Sequence, residues 1–258
     1  MNATLTYVML TRDFDKSLAS TASDPVVKRE SAYFEAHIGK IKSVDDFMKD
    51  QRIYAYALKA YGLSDMAYAK GLIRKVLTQG VSDGKSLANT LNDSRYKALA
   101  SAFDFAANGV STTSSASLVA SVKSAYVEAA LETRVGGENE GARMALYFKR
   151  VAPTVASAYG LLADKTLLSV VQTAFGLSAS MSSQDIDRQA KTIGSLLKIG
   201  DLKDPAKLQK LIERFTARYD MNNPTGAATA PLSAMQVTTP EISQSLLMSL
   251  ANLKLGGA

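Results

Sequence analysis

Asp50–Ser64 reads DQRIYAYALKAYGLS, and Asp164–Ser178 reads DKTLLSVVQTAFGLS. The second stretch lies 114 positions after the first, and both run from an acidic residue through an apolar segment to Ala-aromatic-Gly-Leu-Ser. An apolar run of this kind reads as helix, and the Gly after it is a helix stop. Each stretch is therefore predicted to be helical up to its Gly. The same offset reaches back to Arg29, Tyr33, Phe34 and Ser43, which meet Arg143, Tyr147, Phe148 and Ser157. Ile41, Phe47, Ile53 and Tyr61 meet Val155, Leu161, Leu167 and Phe175, apolar for apolar. From Arg29 to Ser64 nine of 36 positions are identical. Beyond Ser64 the offset slips, to 120 at Leu77 and Gly80 and to 121 at Asp83, in loop-like composition that tolerates insertion. Two copies fall short of a solenoid. The expected fold is all-α: a multi-helix globular bundle built from a duplicated helical unit.

Working outward, Asp24-Pro25 is a second kind of helix start, with a cap residue followed by Pro at the first helical position, and Asp204-Pro205 repeats it. The helix VVKRESAYFEAHI should stop at Gly39. A longer central helix should open at Ser43, with Asp45 and Asp46 at the positive end of its dipole, and run to Tyr61. Ser64 should cap a helix ending at Gly80. Further helices are expected over 84–91, 94–107 and 117–134, and then around 142–151, 153–162, 164–175, 183–198 and 205–219. VSTTSSA at 110–116 and GGENEG at 136–141 read as breaks. The organisation implied is a loosely held N-terminal segment over 1–22, a first unit over 23–109, a connecting helix and turn over 110–141, and a second unit over 142–221. A linker over 222–239 then leads to a last helix from Pro240, within a terminal segment spanning 222–258. No stretch alternates as a strand.

The chain has 258 residues, enough for a sizeable core. Its net charge is +6 and its mean hydropathy is near zero. No apolar run approaches the ~18 residues of a spanning helix, so membrane insertion is not expected. MNATLTYVMLTRDFDK lacks the basic start and long apolar stretch of a Sec-type signal peptide. With no cysteine, disulfides, zinc-thiolate sites and thiol catalysis are excluded. The densest basic region, Lys70–Lys97, reads as a solvated face. Nucleic-acid binders concentrate such charge and interleave aromatics, so a basic nucleic-acid-binding regulator is the alternative function rather than the leading one.

No catalytic, cofactor or metal constellation emerges. GVSDGKS at Gly80–Ser86 ends like a phosphate loop, but three residues separate its glycines where the motif needs four, and it follows a helix instead of a strand. His37 is the only histidine. Asp45 and Asp46 suit a helix start, and Glu138 and Glu140 suit a solvated turn. Tyr33, Tyr54, Tyr56, Tyr61 and Tyr68 sit at helical spacings that favour packing. One segment stands out as a partner-binding candidate: Ile242, Leu246, Leu250 and Leu253, with Leu247 alongside, form an apolar seam of the kind a partner helix or a second copy accepts.

KRESAYFEAHIGKIKSVDDFMKDQRIYAYALKAYGL, IRKVLTQGVSDGKSLANTL and DSRYKALASAFDF, within 29–105, resemble a little-characterised alphaproteobacterial family with a domain of unknown function, typically encoded among flagellar genes. The resemblance implies an all-helical fold and carries no site residues. It also implies a non-enzymatic, flagellum-associated structural or interaction protein, either an export or assembly factor or an exported component. Its partners would be proteins such as flagellar export or rod components, with self-association compatible. Its location would be the cytoplasm or the flagellar export route.

Overall fold

The structure is a computed structural model that describes residues 1–224. Helices α1 (Ala3–Arg12) and α2 (Phe14–Ala22) precede α3 (Pro25–His37), where Asp24 accepts the N–H groups of Val26 and Val27 and Pro25 stands at the first position. Then come α4 (Val44–Lys49), α5 (Gln51–Ala60), α6 (Lys70–Gln79), α7 (Leu87–Thr90), α8 (Ser94–Phe103) and α9 (Phe105–Asn108). The 21-residue α10 (Ala116–Gly136) leads to α11 (Glu140–Val151), α12 (Ala158–Ala163), α13 (Lys165–Phe175), α14 (Ile186–Leu196) and α15 (Pro205–Asn222). The described residues contain no strand, and the fold is all-α.

The sequence offset has a counterpart in local geometry. Ser43 and Ser157 cap α4 and α12 by accepting the third N–H, from Asp46 and Gly160. Asp50 and Asp164 cap α5 and α13 by accepting two N–H groups each. Tyr33 donates its hydroxyl to Asp50 at 3.0 Å, and Tyr147 donates to Asp164 at 2.5 Å. Gly62 (φ +71°) and Gly176 (φ +67°) end these helices in the left-handed region, where an L side chain costs roughly 1–2 kcal/mol. Past them Leu63 and Leu177 bond back to the carbonyls of Leu58 and Gln172. The packing of α3 and α4 on α5, and of α4 on α6, recurs as α11 and α12 on α13, and α12 on α14.

Several boundaries differ from the sequence reading, two of them because a side chain outcompetes the helix ladder. The helix expected from Ser43 to Tyr61 divides at Asp50, whose carboxylate takes the N–H groups of Arg52 and Ile53 and starts a new helix. The helix expected over 94–107 divides at Asp104, which has φ +22° and caps α9 through Ala107. The helix expected over 84–91 contracts to one turn, α7. Ser64–Met66 is a 3-10 turn, so α6 begins later than its proposed cap. Pro153 sits in a second 3-10 turn, Ala152–Thr154, which delays α12 to Ala158.

Residues 1–223 form one compact unit around two apolar clusters. The first gathers Phe34, Phe47, Ile53, Tyr56, Phe103 and their neighbours; the second gathers Phe148, Leu161, Val170, Ile193 and Phe215. Helix α10 serves both. Val122, Tyr126 and Ala130 enter the first cluster, while Leu131 and Val135 enter the second.

The N-terminal segment departs from the expectation of a loose tail. Helix α1 packs on α11 and α15, α2 packs on α10, and Tyr7 is fully buried with its hydroxyl donating to Gln209 at 3.0 Å. Gly141 makes this approach close: a Cβ there would overlap the Tyr219 ring and lie 2.7 Å from Ala3 Cβ. Asp220, in the last turn of α15, accepts from the Ala3 N–H (2.6 Å), the Thr4 N–H (3.0 Å) and the Thr4 hydroxyl (2.6 Å). Its charge thus sits at the positive end of α1. The linker expected from 222 begins later, since Asn222 closes α15, and the rest of it and the last helix lie outside the described residues beyond 224. Asp220→Ala should lower stability by about 1 kcal/mol and speed amide exchange selectively across residues 3–12. Exchange unchanged in that window would contradict the anchoring.

Candidate functional site

The charged groups that sequence reasoning passed over converge on the C-terminal end of α5. The capping turn takes the carbonyls of Ala57, Leu58 and Lys59, which leaves that of Ala60, and of Gly62 just beyond, to side-chain donors, and cations favour such an end. Arg95, in the first turn of α8, donates to the Gly62 carbonyl at 2.7 Å. Its Nε and Nη2 grip Asp93 at 3.0 and 2.7 Å, and its Nε lies 3.4 Å from Asp164 of the second half. Tyr147 joins Asp164 to the group. From the other side Arg150 of α11 donates to the Ala60 carbonyl at 3.2 Å and makes a two-pronged pair with Glu132 of α10 at 2.6 and 2.8 Å. Burial opposes the charge on both guanidinium groups. Hydrogen bonds donated to Asp93 and Glu132 outweigh it and hold both protonated, above the ordinary arginine range. Burial likewise pushes the Tyr147 hydroxyl up.

Every carboxylate in this junction is engaged, and no group of three His, Cys, Asp or Glu able to hold a metal occurs among the described residues. Its chemistry is that of a latch between the halves. Beside it lies an open cleft of about 370 Å³ between α5, α8, α10 and α11, with Glu128 in its wall. Burial raises the Glu128 carboxyl, with Arg150 acting against the rise.

The residues weighed from sequence scatter into structural roles. His37 stacks on Tyr33 with centroids 4.0 Å apart and bonds the Tyr33 carbonyl. Asp46 pairs with Ser43, Asp45 meets Arg74, and Glu140 pairs with Arg143. Gly80 (φ +61°) ends α6, and its Cβ would stand 2.7 Å from that of Ala106. In the basic stretch Lys70, Arg74, Lys75, Lys85 and Lys97 are exposed, while Arg95 is committed to the latch. Tyr54 and Tyr56 are core, whereas Tyr68 is 80 % exposed instead of packed. Ile242, Leu246, Leu247, Leu250 and Leu253 lie outside the described residues. The described residues offer a different apolar surface. The outer face of α1 exposes Leu5, Val8 and Met9, all about half accessible, with Met1 ahead of them and Met221 exposed beside Asp220, the anchor of that helix. The alternation of apolar residues on both sides of α1 was its only signal in the sequence.

Residues 60–208, from the last turn of α5 into α15, match the family described as "Protein of unknown function (DUF1217)". The chain belongs to this family. The matched region takes in the latch, α10 and most of the second half. A crystal structure, that of protein AGR_C_984 from Agrobacterium tumefaciens, is similar at 45% identity and a TM-score of 0.78, covering 86% of this chain and 94% of that one. That agrees with the alphaproteobacterial resemblance. No curated protein matches the chain.

The latch and the buried tyrosines make two checks. Arg150→Met strands Glu132 beneath α10 and should cost about 3–5 kcal/mol, and adding Glu132→Leu should recover most of it. Equal losses in the single and double variants would dismiss the pairing. Burial pushes Tyr7, Tyr61 and Tyr96 up to about 12 from 10.0, with Glu213 adding for Tyr7 and Asp93 for Tyr96. A raised folded pKa means that stability is held below 10.0 and lost as pH rises toward about 12. Phenolate absorbance should therefore appear together with loss of helical circular dichroism in that window.

Proposed function

We propose that this protein is a non-enzymatic interaction component of the flagellar apparatus, an assembly factor or an exported part. The observation that carries the interaction reading is the outer face of α1. A helix anchored on its inner side by Tyr7 and Asp220 still leaves Leu5, Val8 and Met9 in solvent, and rimmed apolar surface of this sort is where proteins associate. The polar groups at the junction support the same reading, because they bond one another and the backbone in place of presenting a reactive set. The flagellar assignment rests on the family resemblance of the sequence. We also infer that the body is two copies of one helical unit, which the shared caps and Tyr–Asp bonds at a constant offset support.

The test follows the protein in cells with and without a working flagellar export ATPase, by blotting cytosol, culture medium and purified basal bodies. The expected result is association with basal bodies or ATPase-dependent export. Leu5→Asp with Met9→Asp should abolish it while shifting stability by only about 0.5 kcal/mol, as exposed substitutions do. Confinement to the cytosol in both strains, with no basal-body fraction, would overturn the assignment. Wild-type behaviour of the double variant would remove α1 as the contact.

A further inference from the structure

The cleft beside the latch has an electrostatic character set by what the latch has already used. Arg95 and Arg150 line it, yet their donors are spent on Asp93, Glu132 and the carbonyls of α5. The two guanidinium charges there meet four carboxylates, those of Asp65, Asp93, Asp164 and Glu132, and Glu128 stands in the cleft wall beside them with no ion pair. The local balance is therefore negative, and Glu128 carries it at the cleft wall. Lys149, a neighbour of Glu128 in the electrostatic sense, places its ammonium over the Phe14 ring at 4.1 Å. Three lining side chains, Glu128, Tyr61 and Ser124, make no hydrogen bond to another described residue and keep their polar atoms open to solvent in the cleft. All three can accept a hydrogen bond. The rest of the wall is mainly apolar, from Ala98, Ala125 and Val151. The volume, about 370 Å³, lies within the range of small-molecule sites.

We propose that this cleft is a binding site for a small alkylammonium ligand, its cationic head taken by Glu128, Tyr61 and Ser124 and its alkyl stem laid on the alanine and valine wall. An ammonium brings three donors and no acceptor, which matches three acceptors that lack partners. A carboxylate or phosphate would add charge to a cleft already negative. A neutral alcohol would leave Glu128 uncompensated. Burial raises the Glu128 carboxyl, and Arg150 and Lys149 oppose the rise without making an ion pair with it. This site is independent of the α1 surface.

The experiment is an amide-resolved NMR titration of the full chain with n-butylammonium chloride, sodium butyrate and n-butanol, run in parallel. Butylammonium should shift the amides of Ser121–Glu128 and Arg150–Thr154 in a saturable manner and bind about tenfold more tightly than butyrate or butanol. Glu128→Gln keeps the shape and removes the charge, so it should weaken butylammonium about tenfold while the spectrum confirms an unchanged fold. Tyr61→Phe should weaken it less. Equal affinity for the three probes, shifts centred elsewhere, or undiminished binding by Glu128→Gln would each overturn the proposal.

Discussion

Two arginines on the C-terminal end of one helix hold this structure together. Helix α5 is buried on most of its surface, and its last carbonyls must find partners inside the protein or be left unsatisfied at a cost. Arg95 reaches Gly62 from the first half, and Arg150 reaches Ala60 from the second. Arg95 is in turn neutralised by Asp93, the cap of its own helix, and Arg150 by Glu132 on α10. A buried ion pair of this kind adds little net stability relative to a well-packed apolar pair. Its value here is register: five elements are aligned by donors of fixed geometry. Asp164 extends the same arrangement, because one carboxylate caps α13, accepts from Tyr147 and lies beside Arg95.

Helix α10 supplies the apolar half of the constraint. One end of it is shared with the aromatic cluster of Phe34, Tyr56 and Tyr126, in which Tyr56 and Tyr126 stack with centroids 3.7 Å apart. The other end belongs to the core around Phe148 and Phe215. Neither core is complete without it. The two halves consequently behave as one compact unit despite carrying two apolar centres. The cleft with Glu128 lies between α5, α8, α10 and α11, beside the latch that these helices form.

Much of the fold was legible in local chemistry. Asp24, Ser43 and Asp204 cap helices where the sequence placed helix starts, since a side chain that accepts a nearby N–H acts within three residues and needs no tertiary knowledge. The glycine stops at Gly62, Gly80 and Gly176 were readable for a similar reason, each having positive φ. The division of the helix at Asp50 was less readable. Its residues are good helix formers on both sides, and the break depends on a carboxylate also held by Tyr33, seventeen positions away. The order of residues 1–22 was the larger miss. Their polar, small-residue composition suggests a loose tail, but what secures them is Asp220, at the far end of the described chain.

The sequence by itself determined the all-helical class, most helix starts and stops, and the recurrence of one capped pattern, because these are governed by interactions between residues three or four apart. It could not determine the site. Arg95, Asp93, Tyr147, Asp164, Glu132 and Arg150 share no motif. Their meeting at the end of α5 depends on how α8, α10 and α11 cross it, a choice made by packing over long sequence separations. The same packing decided which side of α1 was buried and left Leu5, Val8 and Met9 facing water.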